Sequence, residues 1–194
     1  MAPVRYAAFL SILLFFFSVP SPSATTVIPV SLTQLTQKVD TIVAGVVRDT
    51  HAYWDEGRIY TDVTLETMEF LKHPTAQRPE TIVVRTMGGQ IGDMRMEVHG
   101  VPDLHVDEEV VLFLRQHDED YTIYGLYYGL CRIETDPDDA SQSVTGPVFR
   151  ARTTQSAETK ALSLNPLPPN GEALDLFFQR VRDLLPPADE TRQP

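Results

Sequence analysis

"TIVAGVVRDTHAYWDEGRIYTDVTLETMEFLK" (residues 41–72) sets two runs of period-two apolar residues on either side of Asp-Glu-Gly. Alternation with period two places successive side chains on opposite faces of a strand, and Asp-Glu-Gly between two such runs is a hairpin signal. Residues 41–54 therefore read as one strand, 55–57 as a turn and 58–72 as a long second strand. Ile59, Thr61, Val63 and Leu65 share one face of it. Beyond Leu65 the apolar phase moves to Met68 and Phe70. A phase slip inside a strand marks a bulge, and a bulge bends a strand as closure into a small barrel requires.

The pattern continues outward. "HPTAQRP" (73–79) reads as a loop and "ETIVVRTM" (80–87) as a third strand. "DMRMEVHG" (93–100) alternates Met94, Met96 and Val98 with Arg95, Glu97 and His99, which predicts one buried and one wet face. "EVVLFLRQ" (109–116) is apolar on both faces, so something covers each side. "HDED" (117–120) turns the chain into "YTIYGLYYGLCRIE" (121–134), where Gly125 and Gly129 permit a sharp bend. Before the strands, "SLTQLTQKVD" (31–40) predicts a short helix with Ser31 as its N-cap. After them, "NGEALDLFFQRVRDLLPP" (170–187) carries an apolar stripe of Leu174, Phe177, Phe178, Val181, Leu184 and Leu185, ended by Pro186. That stripe either packs back on the strands or docks on a partner protein.

The predicted fold is mainly β: a small closed antiparallel barrel of Greek-key type, with five to six strands, a short N-terminal helix and a C-terminal amphipathic helix. The expected organisation is a signal peptide at 1–24, a barrel domain at 25–136, a flexible linker at 137–170, the amphipathic helix at 171–186 and a disordered tail at 187–194. The signal rests on Arg5, the apolar run "AAFLSILLFFFSV" (7–19) and the small residues "PSPSA" that follow. That apolar run is shorter than the roughly 20 residues that span a bilayer. The expected localisation is thus exported, periplasmic or secreted, with no membrane span after signal cleavage.

Composition narrows the function. Sixteen basic residues against 27 acidic ones give a net charge of −11, and no basic stripe of the kind nucleic-acid binding requires appears in the sequence. Cys131 is the single cysteine, so the core alone must hold the fold. Its phase with Ile123 and Ile133 predicts a buried structural thiol.

Few residue sets suggest chemistry. Gly88, Gly89 and Gly92 stand close together, but no lysine follows them and the next segment has strand period, so Gly88 and Gly89 are expected to supply the positive φ of a hairpin turn rather than a phosphate cradle. In "HGVPDLHVDEE" (99–109), His99, Asp103, His105 and Asp107 are metal-ligand types. His99, His105 and Asp107 are the candidate set for zinc with an open position; the same stretch also reads as a solvated connection into a strand. Tyr53 and Trp54 beside the hairpin turn, and Tyr124, Tyr127 and Tyr128, are candidate contacts for a partner, or residues that close a barrel mouth. No cofactor is expected.

The strands "VDTIVAGVVRDT", "IYTDVTLETMEFLK", "ETIVVRTM", "VDEEVVLFLRQ" and "YTIYGLYYGLCRI" resemble, in order and apolar pattern over residues 39–134, the netrin-like modules. These are OB-type barrels that include the tissue inhibitors of metalloproteinases. The chain is similar as well to bacterial exported proteins of uncharacterised function with the same "GRIYTDVT…LK" run. The resemblance implies an OB-like barrel that binds through a strand face and loops. The inhibitors' mechanism uses an N-terminal cysteine and several disulfides, and this chain has neither, so no residue inherits it. The expected function is a non-enzymatic exported binding module that recognises a protein or extracytoplasmic ligand, its partner an exported protease or an envelope component. Its contacts would come from Tyr53, Trp54, His99, Asp103, His105, Tyr124, Tyr127 and Tyr128. A metal-dependent hydrolase on His99, His105 and Asp107, and a structural component of an envelope complex, are the competing expectations.

Overall fold

The computed structural model describes residues 31–117, 120–146 and 171–186. The expected signal peptide and tail lie outside these, as does the expected linker from 147 to 170. Among the described residues the fold is mainly β, with two helices, α1 (Leu32–Lys38) and α2 (Leu174–Leu184). The strands are β1 (Thr41–Asp55), β2 (Arg58–Lys72), β3 (Thr81–Met87), β4 (Gly89–Ile91), β5 (Met94–Met96), β6 (Glu109–His117), β7 (Asp120–Ile123), β8 (Leu130–Thr135), β9 (Gln142–Thr145) and β10 (Glu172–Ala173). Eight of them form one sheet, while β4 and β5 make a separate hairpin.

The long hairpin is as its periodicity predicts. β1 and β2 pair antiparallel around a tight turn in which Glu56 and Gly57 both have positive φ, 46° and 79°. Such a turn matches the twist of the strands it joins. The phase slip in β2 is real: Ala44 pairs with Glu69 and Gly45 with Thr67, so Met68 has no partner opposite. A second extra residue, Leu71, follows in β2, and Arg48 is the extra one in β1. Met68 turns outward, half exposed, and it is Leu71 rather than Phe70 that enters the core. These bulges bend the hairpin so that β1 pairs β2 along one edge and, from Thr41 to Val46, β6 along the other. The pairings run β1–β2–β3–β7–β6 and return to β1, a partial ring whose β3–β7 step is a single parallel pair, Val84 with Tyr121.

Apolar side chains fill both faces of this sheet. Val43, Val47, Val63, Leu65, Val84 and Leu112 form an inner cluster together with Leu104 from a loop. On the outside, Ile42, Ala44, Val111, Phe113 and Cys131 pack under the helices. β6 contributes to both clusters, which is why it is apolar throughout. α1 starts on a capping box in which the Gln34 amide donates to Ser31 Oγ (3.2 Å) and the Ser31 amide to Gln34 Oε1 (3.0 Å). The Lys72 ammonium donates to the carbonyls of Thr36 (2.9 Å) and Val39 (2.6 Å) at its other end. The apolar stripe of α2 is spent internally: Phe177, Phe178 and Val181 are buried in the outer cluster. A fully buried Phe contributes about 1.5–3 kcal/mol, so Phe177 anchors this short helix on the sheet.

Three expectations change. The sheet has more strands than five or six because residues 121–134 are not one strand. A 3-10 turn, Leu126–Gly129, splits β7 from β8, and Gly125 enters it with φ 69°. The expected linker begins within the sheet, since β9 pairs β8 and β10 pairs β9. Its polar residues, Gln142, Ser143 and Thr145, stand beside the buried Val144, a single apolar anchor too sparse for a pattern to register. Finally, only Met94–Met96 of 93–100 is strand, and Met94 is 56% exposed. The alternation there serves a surface hairpin that buries neither face fully.

Candidate functional site

The β4–β5 hairpin and the segment after it lie over the inner face of β1, β2 and β3 and enclose a cleft of about 880 Å³. Thr50, Thr61, Val63 and Thr86 line it from the sheet, and residues 95–106 line it from the other side. The inner face thus turns from aliphatic, at Val63 and Leu65, to hydroxyl-bearing where it opens. Two of these hydroxyls hold the local backbone: Thr61 Oγ1 donates to Gly88 O (2.7 Å) and Thr86 Oγ1 to Thr61 O (3.2 Å).

The glycines shape this opening in a way the sequence misplaces. The hairpin reverses at Gly92, φ 58°, and not at Gly88 or Gly89. Gly88 prolongs the β2–β3 ladder by donating its amide to Ile59 O (2.8 Å). Gly89 lies so close over β2 that a Cβ there would come within 2.3 Å of Thr61 Oγ1. It is glycine because the backbone crosses in contact, a reason that depends on a residue 28 positions away.

The far wall is fastened at several points. Leu104 is 7% exposed and plugs the inner cluster. The Asp107 amide donates to Val47 O (2.8 Å), and the Val47 amide to Glu108 O (2.9 Å). Arg132 Nη2 donates to Asp103 O (2.9 Å), and Arg48 Nη1 is 3.6 Å from Asp107 Oδ1. The Tyr127 amide donates to Gly100 O (2.9 Å), tying this segment to the 3-10 turn.

These contacts place the candidate residues. His99, Asp103 and His105 line the cleft and are exposed. His105 Nδ1 is 3.2 Å from Glu108 Oε1 and its Nε2 is 3.9 Å from Asp103 Oδ2. Asp107 faces Arg48 instead. His99, His105 and Asp107 do not gather, and among the described residues no three His, Cys, Asp or Glu side chains are grouped to hold a metal ion. The chain turns at Val106 and Asp107, where Asp107 has φ 69°, so it does not run extended from Asp103 to Asp107.

The aromatic candidates separate as well. Tyr53 and Trp54, being adjacent in a strand, lie on opposite faces. Tyr53 belongs to an outer cluster: its hydroxyl donates to Asp62 Oδ1 (3.1 Å), Arg85 Nε donates to the same oxygen (3.2 Å), and Arg85 Nη1 is 2.7 Å from Asp120 Oδ2. Burial first, then the bond to Asp62, holds the Tyr53 phenol above its usual range. Trp54, 49% exposed, is on the side facing the cleft, but neither it nor any residue of 53–58 lines the cleft. Tyr124 stacks under Arg115, with the guanidinium 4.6 Å from the ring centroid. Tyr127 stacks on Tyr128 at 4.3 Å, and burial pushes the Tyr128 phenol up to about 12. None of the three tyrosines lines the cleft; Tyr127 is tied to its wall through the Gly100 carbonyl.

The residues the sequence reading overlooked are Thr50, Thr61, Thr86 and Leu104. The threonines were legible as polar members of the inward-facing alternation, whereas nothing local marks Leu104 as a plug. Compared with known protein families and with curated proteins, the chain matches none.

Proposed function

We propose that the protein is an exported, non-enzymatic binding module, a small closed barrel of OB type with netrin-like strand order, that recognises a protein ligand at the open end of its inner face. Support for the barrel comes from the return of β6 to β1, which completes the order β1–β2–β3–β7–β6. Support for binding comes from the cleft of about 880 Å³, within the range of ligand sites, whose walls are pre-formed: one is sheet and the other is pinned by Leu104 and Arg132. Val106 and Leu126, exposed by 49% and 47%, stand on the segment and turn that form that wall, so an arriving apolar side chain finds a rim to cover. The export signal and the periplasmic or secreted location belong to the same reading.

A photo-crosslinking residue at Val106, compared with one at the exposed Glu134, tests it in cells. Capture of one species from Val106 alone is the expected result. Equal capture from both positions, or from neither, overturns the cleft reading.

A further inference from the structure

The geometry points to a second recognition element beside the cleft: the free edge of β1 from Asp49 to Asp55, which takes an extended, basic segment of a partner protein as an added strand. β6 covers the outer edge of β1 only to Val46, and residues 107–108 cover Val47. From Asp49 onward no described strand pairs that edge.

The direction of the free backbone groups follows from the ladder. Ile59 O accepts from Gly88 on the β3 side, so alternate residues Ile59, Thr61 and Val63 address β3. Their β1 partners are Trp54, Ala52 and Thr50. In an antiparallel pair these are the non-hydrogen-bonded positions, and their amides and carbonyls point away from β2. Three donors and three acceptors thus stand in a row along an open edge.

Protected edges carry lysine, proline, bulges or very short strands. Between the bulge at Arg48 and the turn at Glu56 this one has none of these, and its pairing with β2 is unbroken from Asp49 to Asp55. Its charges are Asp49 and Asp55, both exposed, with Glu56 at the tip. The neighbouring Arg48 is engaged by Glu66 and Asp107. Asp49, His51, Tyr53 and Asp55 project to the outer face, and Thr50, Ala52 and Trp54 to the cleft side. A second copy pairing antiparallel about Ala52 would set Asp49 against Asp55 twice, which like-charge pairing disfavours. The occupant is therefore a segment with basic residues six positions apart and apolar residues alternating between them. The inference shares with the proposed function only the premise that the ligand is a protein.

The probe is the synthetic peptide Lys-Val-Thr-Val-Thr-Val-Lys, acetylated and amidated, titrated into the full chain by calorimetry at low ionic strength. Its second, fourth and sixth residues would exchange hydrogen bonds with Trp54, Ala52 and Thr50. N-methylation of the fourth residue should weaken binding at least tenfold, and N-methylation of the third or fifth less than twofold. Glutamate in place of both lysines should weaken it at least tenfold as well, and Asp49→Lys with Asp55→Lys should reverse that order. Ala52→Pro removes one edge-facing amide without touching the β1–β2 ladder and should match the fourth-residue effect. Loss of affinity that ignores which amide is methylated would overturn the inference. So would self-association abolished by Ala52→Pro, which would place a second copy on the edge. Peptide binding lost in Val106→Asp but insensitive to N-methylation would leave the cleft standing and remove the edge.

Discussion

Leu104→Ala tests whether one side chain holds the cleft wall in place. Leu104 comes from a segment without regular structure, yet it is 7% exposed and packed among Val47, Val63, Val110 and Leu112. Truncation removes three carbons from that cluster, a transfer loss of about 2.5 kcal/mol at roughly 0.8 kcal/mol per methylene. The cavity contribution should be small, because the site opens to the cleft and water can enter. With a urea dependence of about 1.5 kcal/mol/M for a domain of this size, the midpoint should fall by about 1.7 M. Leu112→Ala provides the scale: Leu112 is fully buried, so its vacancy cannot be hydrated and the loss should be larger, up to about 5 kcal/mol. Urea unfolding followed by Trp54 fluorescence and far-UV circular dichroism measures both. A loss below about 0.5 kcal/mol for Leu104→Ala, typical of a surface change, would refute the plug. Amide exchange across 99–106 should rise in the same variant.

Further outcomes follow from buried polar groups. Thr41 is fully buried and its Oγ1 has no hydrogen-bond partner among the described residues, so Thr41→Val should stabilise the fold by about 1 kcal/mol in the same urea assay. Lys72→Met strips two charge-assisted hydrogen bonds from the end of α1 and should cost about 1–2 kcal/mol, with faster amide exchange confined first to α1. Burial pushes the Cys131 thiol up from 9.0 to about 12, so the native protein should not react with a thiol reagent at pH 8, whereas the urea-unfolded chain should react fully. The sign of the linked stability is fixed by that upward shift. Below pH 9 both states keep the proton; above it only the unfolded state ionises, so stability falls as pH rises from 9 toward 12. Cys131→Ala should make that alkaline decline shallower, with the raised Tyr53 and Tyr128 phenols contributing to what remains.

Where a residue's role is decided by its own neighbours in the chain, the sequence is a sufficient guide. The turn at 55–57, the bulge at Met68, the two-sided burial of β6 and the capping box at Ser31 each depend on a few adjacent residues, and each is present. The buried Cys131 is of this kind, since its phase with Ile133 places both in the outer cluster, but Ile123, across the 3-10 turn, packs against the inner cluster instead. β9 escapes because one buried valine among polar residues makes no pattern. Its strand state comes from β8, which supplies the partner.

Period and phase in this sequence determine that the chain is mainly β, where its long hairpin bends, and which residues share a face. Tertiary structure alone decides what meets across those faces. It makes Gly92 the turn and Gly89 a crossing point, sends His105 to Glu108 and Asp107 to Arg48, and seats Leu104 beneath the cleft. Among the described residues it also leaves the edge of β1 without a paired strand beyond Val47. The reason is physical: alternation is set by backbone geometry within a few residues, whereas contacts and open edges depend on pairings between segments tens of residues apart, which only the assembled sheet selects.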